Sequence, residues 1–272
     1  ANIREVDAII HVIRCFSDDN VTHVDGSVDP VRDKEVIDFE LQLKDLESVD
    51  KKLQRSEKIA KAGDAVAKKE VAALHKVKEH LEAGKSIRDL ELSEPEHDAI
   101  KDLQLLTQKP VIYVANVEED SIHTGNQYVD ALEASVHGEK MADGQIPEVI
   151  KISASIEAQI AEFDDPEEKE LFLEEYGLKE SGLSLLIKAS YRILDLITYF
   201  TAGEKEVKAW TIREGWKAPQ AAGVIHTDFE KGFIKAEVIK LSDYEQYKTE
   251  QACKEAGKMS MEGKEYIVHD GD

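Results

Sequence analysis

Residues 110–120 read PVIYVANVEED, and this stretch decides the expected fold. Val111 to Ala115 form a short apolar run, which is typical of a strand buried on both faces. Asn116 follows directly, and three acids come after Val117. In an open parallel sheet, ligands bind beyond the carboxyl ends of the strands. The stretch therefore predicts either a ligand site or, more simply, a strand followed by a solvated loop.

Two further stretches predict strands of the same sheet. The segment IREVDAIIHVIRCF (residues 3–16) becomes apolar towards its middle, and Val149 to Ile152 form a short apolar run that ends in Ser153-Ala154-Ser155. Helical patterns follow at residues 126–142, 156–163, 166–176 and 182–196. Strands that alternate with helices predict a parallel α/β sheet.

Long charged helices are predicted from Val31 to about Leu90. Apolar residues recur there at three- and four-residue intervals, and the pattern breaks once, at residues 61–64. They are Val36, Ile37, Phe39, Leu43, Leu46, Val49 and Leu53 before the break, and Val66, Val71, Leu74, Val77 and Leu81 after it. Two amphipathic helices with so short a turn predict an antiparallel hairpin with coiled-coil-like packing. Its charged outer faces indicate a solvated surface or, alternatively, a partner-binding one.

Ser93 to Glu96, which precede the strand at Val111, fit a capping box that opens a helix.

The pattern changes again beyond the α/β region. Residues 242–245 (SDYE) predict a second capping box, which opens a helix to about Ala256. The stretches ITYFTA, VKAWTI and FIKAEVI predict strands within residues 197–239. Together they indicate a small α+β domain of β-grasp type, whose last strand is expected beyond the end of this chain.

Composition excludes several function classes. The chain has 272 residues and a net charge of −22, so a nucleic-acid contact would require a local basic patch. Its nine histidines and two cysteines form no CxxC, HxH or HExxH spacing, and no metal site is predicted. No run approaches the roughly 20 apolar residues of a membrane span, and no signal peptide is recognisable. We expect a cytoplasmic protein without a membrane partner.

The two strand ends carry candidate base-binding residues. The amide of Asn116 can donate to a purine N7 and accept from the N6 amine of adenine. In guanine-specific proteins the corresponding loop is NKxD, whose Asp accepts two guanine donors. Here Val117 replaces the Lys and Glu119 takes the Asp position, which argues against strict guanine specificity. Ser153 and Ala154 are small enough for the backbone to approach a base edge.

Other nucleotide-binding motifs are absent from the sequence. Neither GxxxxGK[ST] nor DxxG occurs, so no phosphate-binding residue is predicted. His23 lies in the loop DDNVTHVDG, where it could position water near a γ-phosphate or simply make loop hydrogen bonds. The basic and aromatic residues of HTDFEKGFIKAEVI (226–239) predict either a nucleic-acid surface or an ordinary half-buried strand.

Several stretches together resemble the YchF family of Obg-like, ribosome-associated ATPases. They are NIREVDAIIHVIRCF, DDNVTHV, DPVRD, PVIYVANVEED, residues 198–239 and residues 254–272. The resemblance covers essentially the whole chain, and the long carboxyl-terminal stretch is its most specific part.

The resemblance implies a P-loop G domain interrupted by an antiparallel helical hairpin and followed by a TGS domain of β-grasp type. On this chain the G-domain part spans residues 1–35 and 107–196, the hairpin 36–106, and the TGS domain 197–272. The Walker A loop and the Mg²⁺ ligands that accompany ATP would then precede Ala1. The chain is expected to be a fragment that is inactive by itself.

The same resemblance implies a ribosome-associated ATPase that prefers ATP to GTP. The bound nucleotide would control whether the protein associates with the ribosome, at the large subunit, or with RNA. Asn116, Val117 and Glu119 match the first base loop, Ser153 and Ala154 match the second, and His23 matches the histidine proposed to act in hydrolysis. The alternative is a non-catalytic interaction module, in which the hairpin and the β-grasp domain bind a partner.

Overall fold

The computed structural model describes residues 2–18, 20–21, 26–139, 141–142, 144–203 and 206–272. They divide into two compact units, the first ending at Ser190 and the second beginning at Tyr191. None of the described helices combines the length and the apolar character needed to cross a membrane.

The first unit is built around a parallel three-stranded sheet. Its strands are β1 (Ile9–Arg14), β2 (Val111–Asn116) and β3 (Glu148–Ile152), with β2 in the middle. Residues 111–115 of β2 are all buried, as expected for a central strand that is covered on both faces. Because Asn116 lies opposite Arg14 on one side and Ile152 on the other, the three carboxyl ends meet at one edge.

Helices connect these strands and cover the sheet. In the described residues they are α1 (Pro30–Lys61), α2 (Ala65–Glu82), α3 (Glu94–Ile100), α4 (Gln127–His137), α5 (Ala154–Ile160), α6 (Pro166–Glu175) and α7 (Gly182–Ile193). Helix α4 buries Val129, Leu132 and Val136 against the face of the sheet that carries Ile13 and Tyr113. The predicted capping box at the start of α3 is confirmed, since the Glu96 carboxylate accepts from the Ser93 amide at 2.7 Å.

Helices α1 and α2 pack side by side in opposite directions. Near their connection Ser56 donates to Glu70 at 2.6 Å, and at the other end Gln42 donates to the Gly84 carbonyl at 3.3 Å. Between these points the buried side chains of both helices form one apolar core, which includes Val49, Leu53, Leu74 and Val77. The short turn is stable because Asp64 caps α2 by accepting from the Ala67 amide at 2.8 Å.

The first part of the α1 apolar stripe is not buried within the described residues. Val36 and Phe39 are exposed, whereas the sequence predicted one amphipathic stripe from Val36 to Leu53. The reason is length, because α1 has 32 residues and α2 only 18. The contact between Gln42 and Gly84 already lies beyond the end of α2, so Val36 and Phe39 extend past that helix.

A buried carboxylate ties the hairpin to the sheet. Asp45 of α1 is fully buried, and it accepts from the Leu106 amide at 2.9 Å, the Thr107 amide at 2.7 Å and the Thr107 hydroxyl at 2.8 Å. The Arg4 guanidinium donates to the same carboxylate at 3.2 Å. Leu106 and Thr107 lie in the turn that leads into β2, so Asp45 holds α1 in a defined position relative to the central strand.

We expect Asp45→Ala to lower the free energy of unfolding by about 3 kcal/mol, because it leaves buried amide donors and a cation without their acceptor. Glu47→Ala is the matched control, since Glu47 is exposed on the same helix and pairs with Lys44 at the surface. Urea unfolding of both variants measures the difference. Equal stabilities would contradict the anchoring role of Asp45.

The second unit contains two antiparallel strand pairs and four short helices in the described residues. The strands are β4 (Leu196–Ala202) with β5 (Val207–Arg213), and β6 (Ala236–Ile239) with β7 (Met259–Glu262). The helices are α8 (Ala218–Ile225), α9 (Thr227–Gly232), α10 (Leu241–Tyr247) and α11 (Glu250–Glu255). The Gly271 amide donates to Thr198 of β4 at 2.8 Å and its carbonyl accepts from Leu241 at 2.7 Å, so this residue bridges the two halves of the unit.

The predicted capping box at residues 242–245 is wrong. Helix α10 begins two residues earlier, at Leu241, with Lys240 as its N-cap and no side-chain cap. The single helix expected up to Ala256 is also interrupted, because Lys248 adopts a left-handed conformation with φ of 67°. Thr249 then caps α11 by accepting from the Ala252 amide at 3.1 Å.

Candidate functional site

The structure brings the two predicted base loops together. Asn116 is the last residue of β2, and Ala154 opens α5 directly after Ser153, which follows β3. The Oδ1 atom of Asn116 accepts from the Ala154 amide at 3.0 Å. This bond links the carboxyl ends of two neighbouring strands, which is where ligands bind in open α/β sheets.

The two loops differ in which polar groups remain available. The half-buried Asn116 amide nitrogen, Nδ2, has no protein acceptor among the described residues, so it can donate to a ligand. In contrast, the Ala154 N–H is already bonded to Asn116. The Ser153 hydroxyl is buried and has no hydrogen-bond partner in the described structure. A ligand at this edge would therefore meet Asn116 Nδ2 as its first free donor.

Glu119 is held by three donors from other parts of the chain. One carboxylate oxygen accepts from the Ser155 hydroxyl at 2.5 Å and from Gln159 at 3.1 Å. The other accepts from the Tyr176 hydroxyl at 3.1 Å. Donors of this kind stabilise the charged carboxylate, and Ser155 and then Tyr176 hold the pKa of Glu119 below its ordinary value. Through these hydrogen bonds the carboxylate links the loop after β2 to α5 and to the end of α6.

Val117 holds the first base loop in place through its buried side chain and its backbone amide. Its side chain is buried in the core between the sheet and α4, and its amide donates to the Ile152 carbonyl at 2.9 Å. Because the neighbouring residue Asn116 is fixed in this way, its side chain stays close to the start of α5.

The loop before α1 is only partly described. Arg14, at the carboxyl end of β1, donates to the carbonyl of Val21 at 2.9 Å and to that of Asp18 at 3.2 Å. His23 lies outside the described residues. Further along, Asn126 caps α4 and its Nδ2 donates to the Cys15 carbonyl at 2.8 Å, which links the end of β1 to α4.

Known proteins match the chain over its whole length. It is 50% identical to the ribosome-binding ATPase YchF of Bacillus subtilis, with 100% of this chain and 73% of that protein covered. It is 51% identical to the protein of the same name from Escherichia coli O157:H7, of which it covers 72%. The Obg-like ATPase 1 of Gallus gallus is 43% identical and 68% covered. The chain belongs to the YchF/Obg-like ATPase family.

A solved structure and a family model agree with this membership. The structure of the Schizosaccharomyces pombe YchF GTPase matches 99% of this chain and 71% of that chain, with a TM-score of 0.85 and 40% identity. The model YchF-GTPase_C, described as a protein of unknown function (DUF933), matches residues 196–272. The resemblance inferred from sequence and the expected α/β fold are thus confirmed.

This YchF family member has site residues that the sequence reasoning missed. Gln159 and Tyr176 were not predicted, although the four-residue spacing of Ser155 and Gln159 could have placed both on one face of α5. Tyr176 also packs its ring on Phe172, with centroids 5.0 Å apart, and its carbonyl lies 2.5 Å from the His123 Nε2 atom. The end of α6 is therefore docked on the loop after β2.

We expect Tyr176→Phe to raise the pKa of Glu119 towards its ordinary value, because the carboxylate loses one donor that stabilises its charge. A pH titration of the Glu119 carboxyl signal by NMR measures this shift. Tyr128→Phe is the control, since Tyr128 packs against the core and its hydroxyl bonds to no described group. If both variants titrate like the unchanged protein, the bond between Tyr176 and Glu119 has no electrostatic role.

Proposed function

We propose that this chain is the greater part of a ribosome-associated, cytoplasmic ATPase that binds ATP in preference to GTP. The names of its relatives, ribosome-binding ATPase and Obg-like ATPase, support this proposal. The observation that carries it is the bond between Asn116 Oδ1 and the Ala154 amide. That bond leaves the Asn116 Nδ2 donor free at the carboxyl edge of a parallel sheet.

The domain organisation is part of the proposal. Residues 1–35 and 107–196 would form most of a P-loop G domain, interrupted by the hairpin at 36–106. Residues 197–272 would form a TGS domain of β-grasp type. The antiparallel packing of α1 on α2, the separate unit that begins at Tyr191 and the family match at 196–272 support this division.

How a base would be recognised depends on which hydrogen-bonding groups at the strand ends are free and which are already bonded to protein. Asn116 Nδ2 would donate to N7 of the purine, and the second lone pair of Oδ1 could accept from the N6 amine of adenine. Both oxygens of Glu119 are already bonded to protein donors. The carboxylate is thus poorly placed to accept from the two donors of guanine, which favours ATP over GTP. Val117, Ser153 and Ala154 would shape the base loops.

The chemical step would be attack of water on the γ-phosphate, in which Mg²⁺ supplies charge neutralisation. Among the described residues no group of three or more His, Cys, Asp or Glu side chains converges to hold a metal ion. His23 would contact the reacting phosphate or its water.

Two substitutions at Asn116 separate its structural and ligand roles. Asn116→Asp keeps an acceptor for the Ala154 amide but replaces the Nδ2 donor by a carboxylate oxygen, which repels N7. We expect ATP binding by the full-length protein to weaken at least about tenfold, the equivalent of about 1.4 kcal/mol, with little loss of stability. Asn116→Ala should weaken binding and also loosen the start of α5.

Titration of labelled ATP and GTP measures these effects, and Glu118→Ala is the control, because Glu118 is exposed in the same loop. Unchanged ATP affinity of Asn116→Asp would refute the base-binding role of Asn116. Undetectable binding of either nucleotide to the unchanged protein would favour the non-catalytic interaction module instead.

The ribosome association has a separate test. We expect the full-length protein to co-sediment with ribosomes to different extents in the presence of a non-hydrolysable ATP analogue and of ADP, because nucleotide would switch its affinity. Asn116→Asp should remove this difference. Identical co-sedimentation in both nucleotide states would contradict the proposed switch.

A further inference from the structure

The turn of the hairpin carries a charge opposite to that of the chain as a whole. We define the tip as residues 54–69, QRSEKIAKAGDAVAKK. It contains five cations and two acids, a net charge of +3, whereas the chain carries −22. The cations are Arg55, Lys58, Lys61, Lys68 and Lys69.

The cations of the tip are free, in contrast to most lysines elsewhere on the hairpin. Each of the five is exposed, and none lies within 4.0 Å of a carboxylate in the part of the chain that the structure describes. Further from the turn, lysines pair with acids at 2.7 to 3.3 Å. These pairs are Lys34–Asp38, Lys44–Glu47, Lys52–Glu70, Lys76–Glu96 and Lys78–Asp50.

The two acids of the tip are engaged in local contacts. Asp64 caps α2 through the Ala67 amide, and Glu57 lies 3.5 Å from His75. Neither neutralises one of the five cations. The tip therefore presents unpaired positive charge to a ligand.

Distance separates this charge from the acidic residues around the sheet. The helix from Asp45, the anchor to the sheet, to Lys61 spans about 24 Å. This is about three times the Debye length of roughly 8 Å at physiological ionic strength. Acids around the sheet are thus largely screened at the tip. The packed core of the hairpin, which includes Val49 and Leu74, holds the tip at that distance.

We infer that the tip binds the phosphate backbone of RNA. This inference rests on the proposed ribosome association and names the surface that would make it. A polyanion repels the rest of a chain with a charge of −22, so contact requires a local region of opposite sign. The other segment with basic and aromatic residues, 226–239, has two lysines against three acids and lacks such a charge.

The test compares two variants of the full-length protein with the same net charge. The first is Lys58→Gln, Lys61→Gln and Lys69→Gln at the tip. The second is Lys179→Gln, Lys254→Gln and Lys264→Gln, three exposed lysines outside the hairpin. Glutamine keeps the helix propensity of lysine and removes its charge. Thermal unfolding and ATP titration check that both variants are folded.

Binding is measured to purified ribosomes and to protein-free ribosomal RNA over a range of salt concentrations. We expect the tip variant to bind both about tenfold more weakly, with a logarithmic salt slope that is shallower by about 2, because three phosphate contacts are lost. The matched variant should bind like the unchanged protein.

Equal affinities of the two variants would overturn the inference. So would a tip variant that loses ribosome binding but keeps its affinity for protein-free RNA, since the partner would then be an acidic protein. If the unchanged protein binds RNA through the tip but does not bind ribosomes, the proposed ribosome association fails and the RNA surface stands.

Discussion

The site depends on the parallel register of β2 and β3. Asn116 lies opposite Ile152, and this pairing brings its Oδ1 atom within 3.0 Å of the Ala154 amide. A slip by one residue would move the start of α5 by about 3.3 Å and would exchange the two faces of the strand. The bond, the free Nδ2 donor beside it and the loop that carries Glu119 therefore all follow from one choice of strand pairing.

A buried side chain, and not only the chain connection, holds the hairpin in place against the sheet. Asp45 is completely buried, and its acceptor capacity is filled by the turn that leads into β2. This arrangement fixes the direction in which α1 extends away from the sheet. The pairing of cations changes along the hairpin. The lysines nearer the sheet are mostly paired with acids, whereas the cations of the tip are not. A chain with a large negative charge can in this way carry a positive surface.

Local patterns predicted the elements well where neighbouring residues decide the structure. The buried run of β2, the alternation of strands and helices, the turn near Gly63 and the capping box at Ser93 are properties of short segments, and the structure has all of them. The predictions failed where a distant partner decides. The apolar stripe of α1 is exposed before Gln42 because α2 is shorter, and the helix after Lys240 is broken at Lys248.

By itself, the sequence determined the strands of the α/β sheet, the two long helices and the residues that occupy the ends of β2 and β3, since apolar periodicity and residue type are read over a few positions. Only the tertiary structure decided how those residues are used. The Ala154 amide is bonded to Asn116 from 38 positions away, Glu119 is held by Tyr176 from 57, and Asp45 accepts from Thr107 from 62. Each of these bonds joins segments whose local patterns carry no information about one another, so only the folded chain could reveal which polar groups are occupied and which remain free for a ligand.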